Sequence, residues 1–425
     1  MRNQKIIFLI FSLIVFNSFG QKKELKAAEK ALKTKNFVSA KENIVAVEVY
    51  DLSNIDLKTK IKYHYIKGLA YYEDGDSNLA NTYLALDNFK KVISLEENST
   101  YKTYSDKVKP LKTTMLNKFV QKATTALESK DYKTSYMNLE SAFRVSTRDT
   151  LYLYNAALLA TETKDFDKAM NFYKELEDLG FTGVTTNYYA TDILSDEEQS
   201  FTSESNRDLF VKAGSHKEPR NEITESVELS VFRSMAAIYR DFDDSIKALE
   251  YIAKAKKISE LDINVILLEA NIRWELGEVE NYKELISKAL EIDPTNADLL
   301  YNLGIVSVKN NDPESAMLYY ERAIAVNPKY TNAYLQIGNL ILEQQDPIIK
   351  QMDGLGMSTA DYNKYDQLSI ELENIQRKAS SYFESVIDFE PNNNEAVKTL
   401  RSIYSALGDD ENYKLMKEKL EKIEN

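Results

Sequence analysis

The chain has 425 residues, a formal net charge of −13, no cysteine and two histidines. This excludes disulfides, thiolate metal sites and a cysteine nucleophile, and so acidic a chain has no electrostatic footprint for nucleic acid. Gly (12) and Pro (7) are scarce beside 43% hydrophobic and 28% charged residues, which favours long helices joined by short turns.

The first segment, residues 1–20, stands apart. Arg2 and Lys5 precede an apolar run over residues 6–16, and Ser18 and Gly20 follow it. That is the layout of a secretory signal peptide, with cleavage expected between Gly20 and Gln21. The apolar core falls short of the roughly 20 residues that a spanning helix needs. No cysteine is available for lipidation, and no later run is long and apolar enough to span a membrane. The expectation is a soluble exported chain.

Residues 21–183 read as about four helix–turn–helix units. Small residues recur inside the helical stretches: Ala28 and Ala40 in a weak first unit, Gly68, Gly75 and Ala80 in the next, then Ala123 and Ala142, then Ala157 and Ala169 with Tyr173. About five extra residues precede "NFKKVISLEE" in the second unit. His64, between Tyr63 and Tyr65 in helical sequence, reads as a packing residue.

Residues 184–228 break the pattern. "TNYYATDI" and "QSFTS" predict a short β-hairpin, and "SESNRDLFVKAG" one or two helical turns ended by Gly214. The polar run around Pro219, with His216, reads as loop.

From Leu229 to Tyr330 the register is strict. Ala236, Ala248 and Ala255, then Ala270, Ala289 and Pro294, then Gly304, Ala316, Ala323 and Pro328 repeat at a spacing of 34 residues, and Gly338 continues the series. Gly304 and Ala316 stand where two helices of a pair approach closely, Tyr320 fills the space they leave, and Pro328 stops the second helix. In "NNDPES", Asp312 is the predicted N-cap and Pro313 the first helical residue. Residues 344–378 interrupt one unit. They predict that both its helices lengthen into a projecting hairpin with "DGLGMS" at the tip, Ser358 or Thr359 capping the return helix, and the apolar Met352, Leu355 and Met357 able either to staple the tip or to dock on a partner. The register returns at Ala379, Phe383, Val386 and Pro391. A final unit with Tyr404 and Gly408 ends in a highly charged helix suited to capping an array.

The residues Leu300, Leu303-Gly304, Ala316, Tyr320, Ala323 and Pro328 resemble the tetratricopeptide repeat family, with Ser307 departing at a tyrosine slot. The resemblance implies an all-α, right-handed superhelical solenoid of about nine repeats, carrying the β-hairpin insertion. It also implies an inner surface, lined by the first helix of each pair, that takes peptides or extended segments. Counted in that register, the inward candidates are Arg233, Arg240, Leu267, Asn271, Trp274, Tyr301, Ile305, Leu335 and Asn339. The basic clamp with which some members hold a terminal carboxylate is incomplete, because Tyr301 and Ile305 stand where basic residues would be needed. Trp274, the sole tryptophan, is a candidate anchor, expected beside Arg240, Tyr301 and Ile305. No Gly-rich phosphate loop, HExxH or GxSxG motif occurs, and no enzyme activity, cofactor or metal is expected. Resemblance to exported bacterial envelope repeat proteins points to a periplasmic adaptor for other envelope proteins, serving envelope assembly, outer-membrane protein biogenesis or secretion through the groove or the insertions. A carbohydrate- or peptidoglycan-binding module, suggested by 28 tyrosines, is the alternative.

Overall fold

Five short turns between paired helices repeat one device. A residue in the left-handed region is followed by an acidic or amide N-cap: Lys35 then Asn36, Lys130 then Asp131, Lys164 then Asp165, Asp243 then Asp244, Asn311 then Asp312. The cap side chain accepts from a backbone N–H three residues on, as Asp312 does from Ser315 at 3.1 Å, with Pro313 opening the helix. The computed structural model describes residues 21–424 except 51, 53, 54, 76, 77 and 98. The predicted leader therefore lies outside the described residues. Among those described, no helix is long and apolar enough to cross a membrane.

The chain divides into two compact units at residues 231 and 232. The first unit runs through α1 (21–33), α2 (Phe37–Glu48), α3 (Leu57–Tyr72), a 3₁₀ turn (Glu73–Gly75), α4 (Leu79–Glu97), α5 (Ser105–Glu128), α6 (Tyr132–Val145), α7 (Leu151–Glu162) and α8 (Phe166–Asp178). Successive helices pack as pairs, α3 with α4, α5 with α6 and α7 with α8. Where Gly68 lacks a side chain, the ring of Phe89 fills the space: a β-carbon on Gly68 would lie 2.5 Å from Phe89 Cε1. The extra residues ahead of Asn88 set this partner later in sequence than in an ordinary repeat, yet the contact is kept.

A small α/β excursion completes this unit: β1 (Thr186–Asp192), β2 (Glu198–Phe201), α9 (Glu204–Lys212) and β3 (His216–Ile223), in the antiparallel order β2-β1-β3. The hairpin of β1 and β2 and the helix ended by Gly214, at φ +71, answer to the sequence. The run around Pro219 does not: it is a strand, not a loop. The register shifts between Tyr189 and Thr191, which leaves Glu218 and Pro219 together opposite Ala190 in a β-bulge. Proline is tolerated at such a bulge because its missing N–H costs no ladder bond there. Ion pairs of Arg220 with Glu198 (2.5 Å) and Glu222 (2.8 Å) hold the polar faces. His216 is likewise no loop residue: it is 5% exposed, wedged between Phe201 and Phe210, with Nε2 3.2 Å from Gln199 Oε1.

The second unit continues through α10 (Glu228–Asp241), whose first residues belong to the first unit. It then holds α11 (Ser245–Ile258), α12 (Ile263–Glu275), α13 (Val279–Ile292), α14 (Ala297–Lys309), α15 (Pro313–Val326), α16 (Thr331–Glu343), α17 (Gln345–Asp353), α18 (Thr359–Phe389), α19 (Asn394–Ala406) and α20 (Asp410–Glu424). One continuous apolar core joins the pairs from α12 to α20. Its repeated unit is a small residue facing a large ring. A β-carbon on Gly304 would meet Tyr320 Cε1 at 2.3 Å, and one on Gly338 would meet Phe383 at 2.7 Å. Phe383 lies far along the chain from Gly338 because the projecting hairpin intervenes between the two helices of that pair. Ser358 caps α18 in a full capping box with Asp361. The first arm is not one lengthened helix, however. The chain breaks at Gln344 and restarts as α17, because the ring of Pro347 would clash with the carbonyl of residue 343 in a continuous helix. In the closing helix α20, Met416 and Leu420 are buried and the other side chains are at least partly exposed.

Candidate functional site

On the first helix of each pair in the second unit, one stripe faces the core and a neighbouring stripe stays partly open. In α12 the core stripe is Val265, Ile266, Ala270 and Ile272, all at most 1% exposed. Leu267, Asn271 and Trp274 fall at i, i+4 and i+7 beside it, and so share one face of the helix. Asn271 is exposed, while Leu267 and Trp274 are half-buried against the core. In α14, Leu300, Leu303 and Gly304 point inward, and Tyr301 and Ile305 form the open stripe. In α16, Asn339 is half-buried, but Leu335 is 6% exposed and belongs to the core, so it presents no side chain to a partner.

Side-chain contacts tie these stripes from helix to helix. Arg233 of α10 lies 4.0 Å from Asp262, which caps α12, and Arg240 Nε lies 3.3 Å from Glu275 Oε1 at the end of α12. Lys309 at the end of α14 sets its ammonium 4.0 Å from the centre of the Trp274 ring. The Tyr301 hydroxyl of α14 lies beside Gln336 of α16, and its ring stands 5.4 Å from that of Tyr330, the residue before α16. Asn339 Nδ2 donates to Glu395 Oε1 of α19 at 3.3 Å. The result is a continuous seam across α10, α12, α14, α16 and α19. Burial pushes the Tyr301 and Tyr282 hydroxyls above their ordinary value, so both stay neutral hydrogen-bonding groups.

Trp274 has packing partners that the register does not name. Its ring packs on Tyr282 of α13, with centroids 4.9 Å apart, under Lys309, while Arg240 turns to Glu275. It is part packing residue, part exposed edge. Sequence reasoning did not find Glu275, Lys309, Gln336 or Glu395, the partners that complete the seam. The signal was available in principle, as each lies at the end or open face of a neighbouring first helix. At the hairpin tip, Met352 and Leu355 are half-buried and Met357 is 89% exposed.

Taken as chemistry, the seam offers alternating polar and apolar edges. Arg233 and Arg240 each lie beside a carboxylate, which leaves no bare cation pair for a terminal carboxylate. Among the described residues, no three His, Asp or Glu side chains gather as a metal site would require.

Residues 285–317, which carry Ala289, Pro294, Gly304 and Ala316, match the tetratricopeptide repeat model. Together with the paired helices and the small-residue-to-ring contacts, this match supports tetratricopeptide repeats as the building unit of the chain. Human protein O-mannosyl-transferase TMTC3 is 22% identical over 208 residues, which cover 47% of this chain and 22% of that protein. Photosystem I assembly protein Ycf3 of Rippkaea orientalis is 28% identical over 116 residues, covering 27% of this chain and 57% of that protein. The chain thus spans less than two thirds of the length of either relative. Among solved structures, MamA is 22% identical, with 47% of this chain and 93% of that chain covered and a TM-score of 0.34. YrrB, a TPR protein with an unusual peptide-binding site, is 14% identical, with 59% and 97% covered and a TM-score of 0.34.

Proposed function

We propose that this chain is a non-catalytic binding protein that holds an extended segment of a partner protein along the seam of the second unit. The observation that carries the reading is the continuity of the seam. Five first helices are linked side chain to side chain, and Leu267, Trp274, Tyr301 and Ile305 keep partly exposed apolar edges between Arg233, Arg240, Asn271 and Asn339. An extended peptide needs such alternation, with apolar edges for side chains and amides for its backbone. Trp274 is the anchor in this reading, its free edge covered by the bound segment. Met357 on the hairpin tip is a second contact for the same partner.

The partner class is another envelope protein and the place of action the periplasm. The cationic, apolar and small-residue order of residues 1–20 supports export, and the absence of cysteine argues against lipid anchoring. The service is that of an adaptor in envelope assembly, outer-membrane protein biogenesis or secretion.

The test is a selection of random twelve-residue peptides on the full-length chain, in parallel with a pull-down on isolated sacculi. Peptides that bind the parent and lose at least tenfold in affinity to Asn271→Ala and Trp274→Ala support the reading. Retention on sacculi with no selectable peptide would replace it with a glycan-binding module.

A further inference from the structure

A cleft in the first unit lies on α3 and α4. It measures about 650 Å³ and opens between one face of α3, with Lys60, Tyr63, His64 and Lys67, and one face of α4, with Leu84, Asp87, Asn88, Lys91 and Leu95. That volume suits a small molecule, and so does a largely apolar wall with a few convergent polar groups. The charges do not cancel. Lys67 pairs with Glu48 at 2.5 Å and Lys91 with Asp87 at 2.7 Å, while the Lys60 ammonium has no carboxylate partner among the described residues. In a chain of net charge −13 the cleft is locally cationic.

His64 is the second, independent feature. Asn88 is 3% exposed, and its Nδ2 donates to the carbonyl of Leu84 at 2.7 Å. Its Oδ1 must then accept from His64 Nδ1, 2.8 Å away. This fixes the tautomer: Nδ1 carries the hydrogen, and Nε2, without a partner among the described residues, is the open atom on the cleft wall. We propose that this cleft binds a small organic anion, an apolar body carrying one carboxylate, sulfonate or phosphate group, with the head group between Lys60 and His64 Nε2 and the body against Leu84 and Leu95.

Proton linkage follows from the surroundings of His64. Burial is the main influence that lowers its pKa, and Lys60, Lys67 and Lys91 add to it. The groups that face it are Tyr63, Lys60 and Lys67 on α3, Asp87 and Lys91 on α4, and Glu48 of α2 behind Lys67. Free, the imidazole is neutral. An anion at Nε2 favours the protonated form, so binding takes up a proton and tightens as pH falls.

The experiment uses the full-length chain and 8-anilinonaphthalene-1-sulfonate, an apolar monoanion, followed by fluorescence. Decanoate, hexyl phosphate and inorganic phosphate serve as competitors. The expected result is one saturable site, displaced by decanoate or hexyl phosphate but not by inorganic phosphate. Affinity should fall about tenfold in Lys60→Gln, a contact to a charged donor being lost, and should be unchanged in Lys288→Gln on α13. Because Lys60 is partly exposed and makes no ion pair in the described structure, its variant keeps the fold. As a second readout, NMR titration of the two histidines should show the probe raising the pKa of the one signal that His64→Asn removes. Absence of a saturable site, equal affinity in Lys60→Gln and the parent, or a His64 titration indifferent to the probe would each overturn the assignment.

Discussion

Replacing Gly304 by alanine adds one methyl group at the tightest point of the α14–α15 pair. That carbon would stand 2.3 Å from Tyr320 Cε1, 2.6 Å from Cδ1 and 2.8 Å from Cζ. Ordinary carbon contacts begin near 3.5 Å, so the ring must retreat by about 1 Å. It has nowhere to go: Tyr320, Ala316 and Ala323 are all 0% exposed. Overpacking of this kind costs about 1–3 kcal/mol, against which alanine gains about 1 kcal/mol of helix propensity. The net expectation is a loss of about 0–2 kcal/mol for Gly304→Ala and a larger one for Gly304→Leu. Gly354→Ala is the matched control, since its new carbon would meet nothing closer than 3.6 Å. Urea unfolding of both variants should separate them by about 1–3 kcal/mol in favour of the control, and Gly304→Ala with Tyr320→Leu should be less damaging than the sum of its parts. If Gly304→Ala matched or exceeded the control, or if the double variant were simply additive, the close-approach argument would be refuted.

Three further outcomes follow from the same geometry. Glu96, 1% exposed, accepts from the backbone N–H groups of Tyr104 (3.0 Å) and Ser105 (2.8 Å) at the start of α5, so Glu96→Ala should cost about 1–3 kcal/mol in a denaturation assay. Burial alone would raise the Glu96 carboxyl, but hydrogen bonds from Ser105 and Tyr104 outweigh it and hold the pKa below 4.5; its stabilisation is therefore present above pH 4.5 and fades as pH drops through the folded value, a loss that Glu96→Gln should not show. Lys164, held at φ +58 between α7 and α8, should gain up to about 1 kcal/mol when replaced by glycine, read as a higher urea midpoint. Ser307 Oγ and Tyr320 Oη are buried with no hydrogen-bond partner among the described residues, so Ser307→Ala and Tyr320→Phe should be neutral or stabilising by up to about 1 kcal/mol, and a loss of more than that would mean the hydroxyls are satisfied in solution.

The repeat core was legible because it is written in residue size. Gly304 with Tyr320 and Gly338 with Phe383 can be read from spacing alone, since only a small residue lets the facing ring seat. The N-cap at Asp312, and Ser358 as one of two candidate caps for α18, were legible for a similar reason: one side chain satisfies a local backbone donor, and no distant contact is involved. What escaped depends on partners distant in sequence or on a local irregularity. Strand β3 hides behind Pro219, and only the bulge opposite Ala190 lets it pair with β1. His216 looks polar in sequence and is buried because Phe201 and Phe210, from two other elements, close over it. The stripe containing Leu267, Asn271 and Trp274 follows from helical spacing, yet Trp274 leans on Tyr282 and Lys309, a choice that side-chain packing makes. Leu335 was placed on the open stripe by counting, and the core took it instead. His64 and Asn88 are 24 residues apart, so their hydrogen bond, and the cleft it lines, had no sequence signature.

The claim that the seam of the second unit holds a partner segment is tested most directly by site-specific photocrosslinking in the source cell. A benzophenone amino acid placed at Asn271, exposed on α12, is compared with one at Glu284, exposed on α13 of the same pair. The account predicts a discrete protein adduct from position 271 that is lost with Trp274→Ala and absent from position 284. Equal adducts from both positions, or an adduct from 271 that Trp274→Ala leaves undiminished, would contradict it.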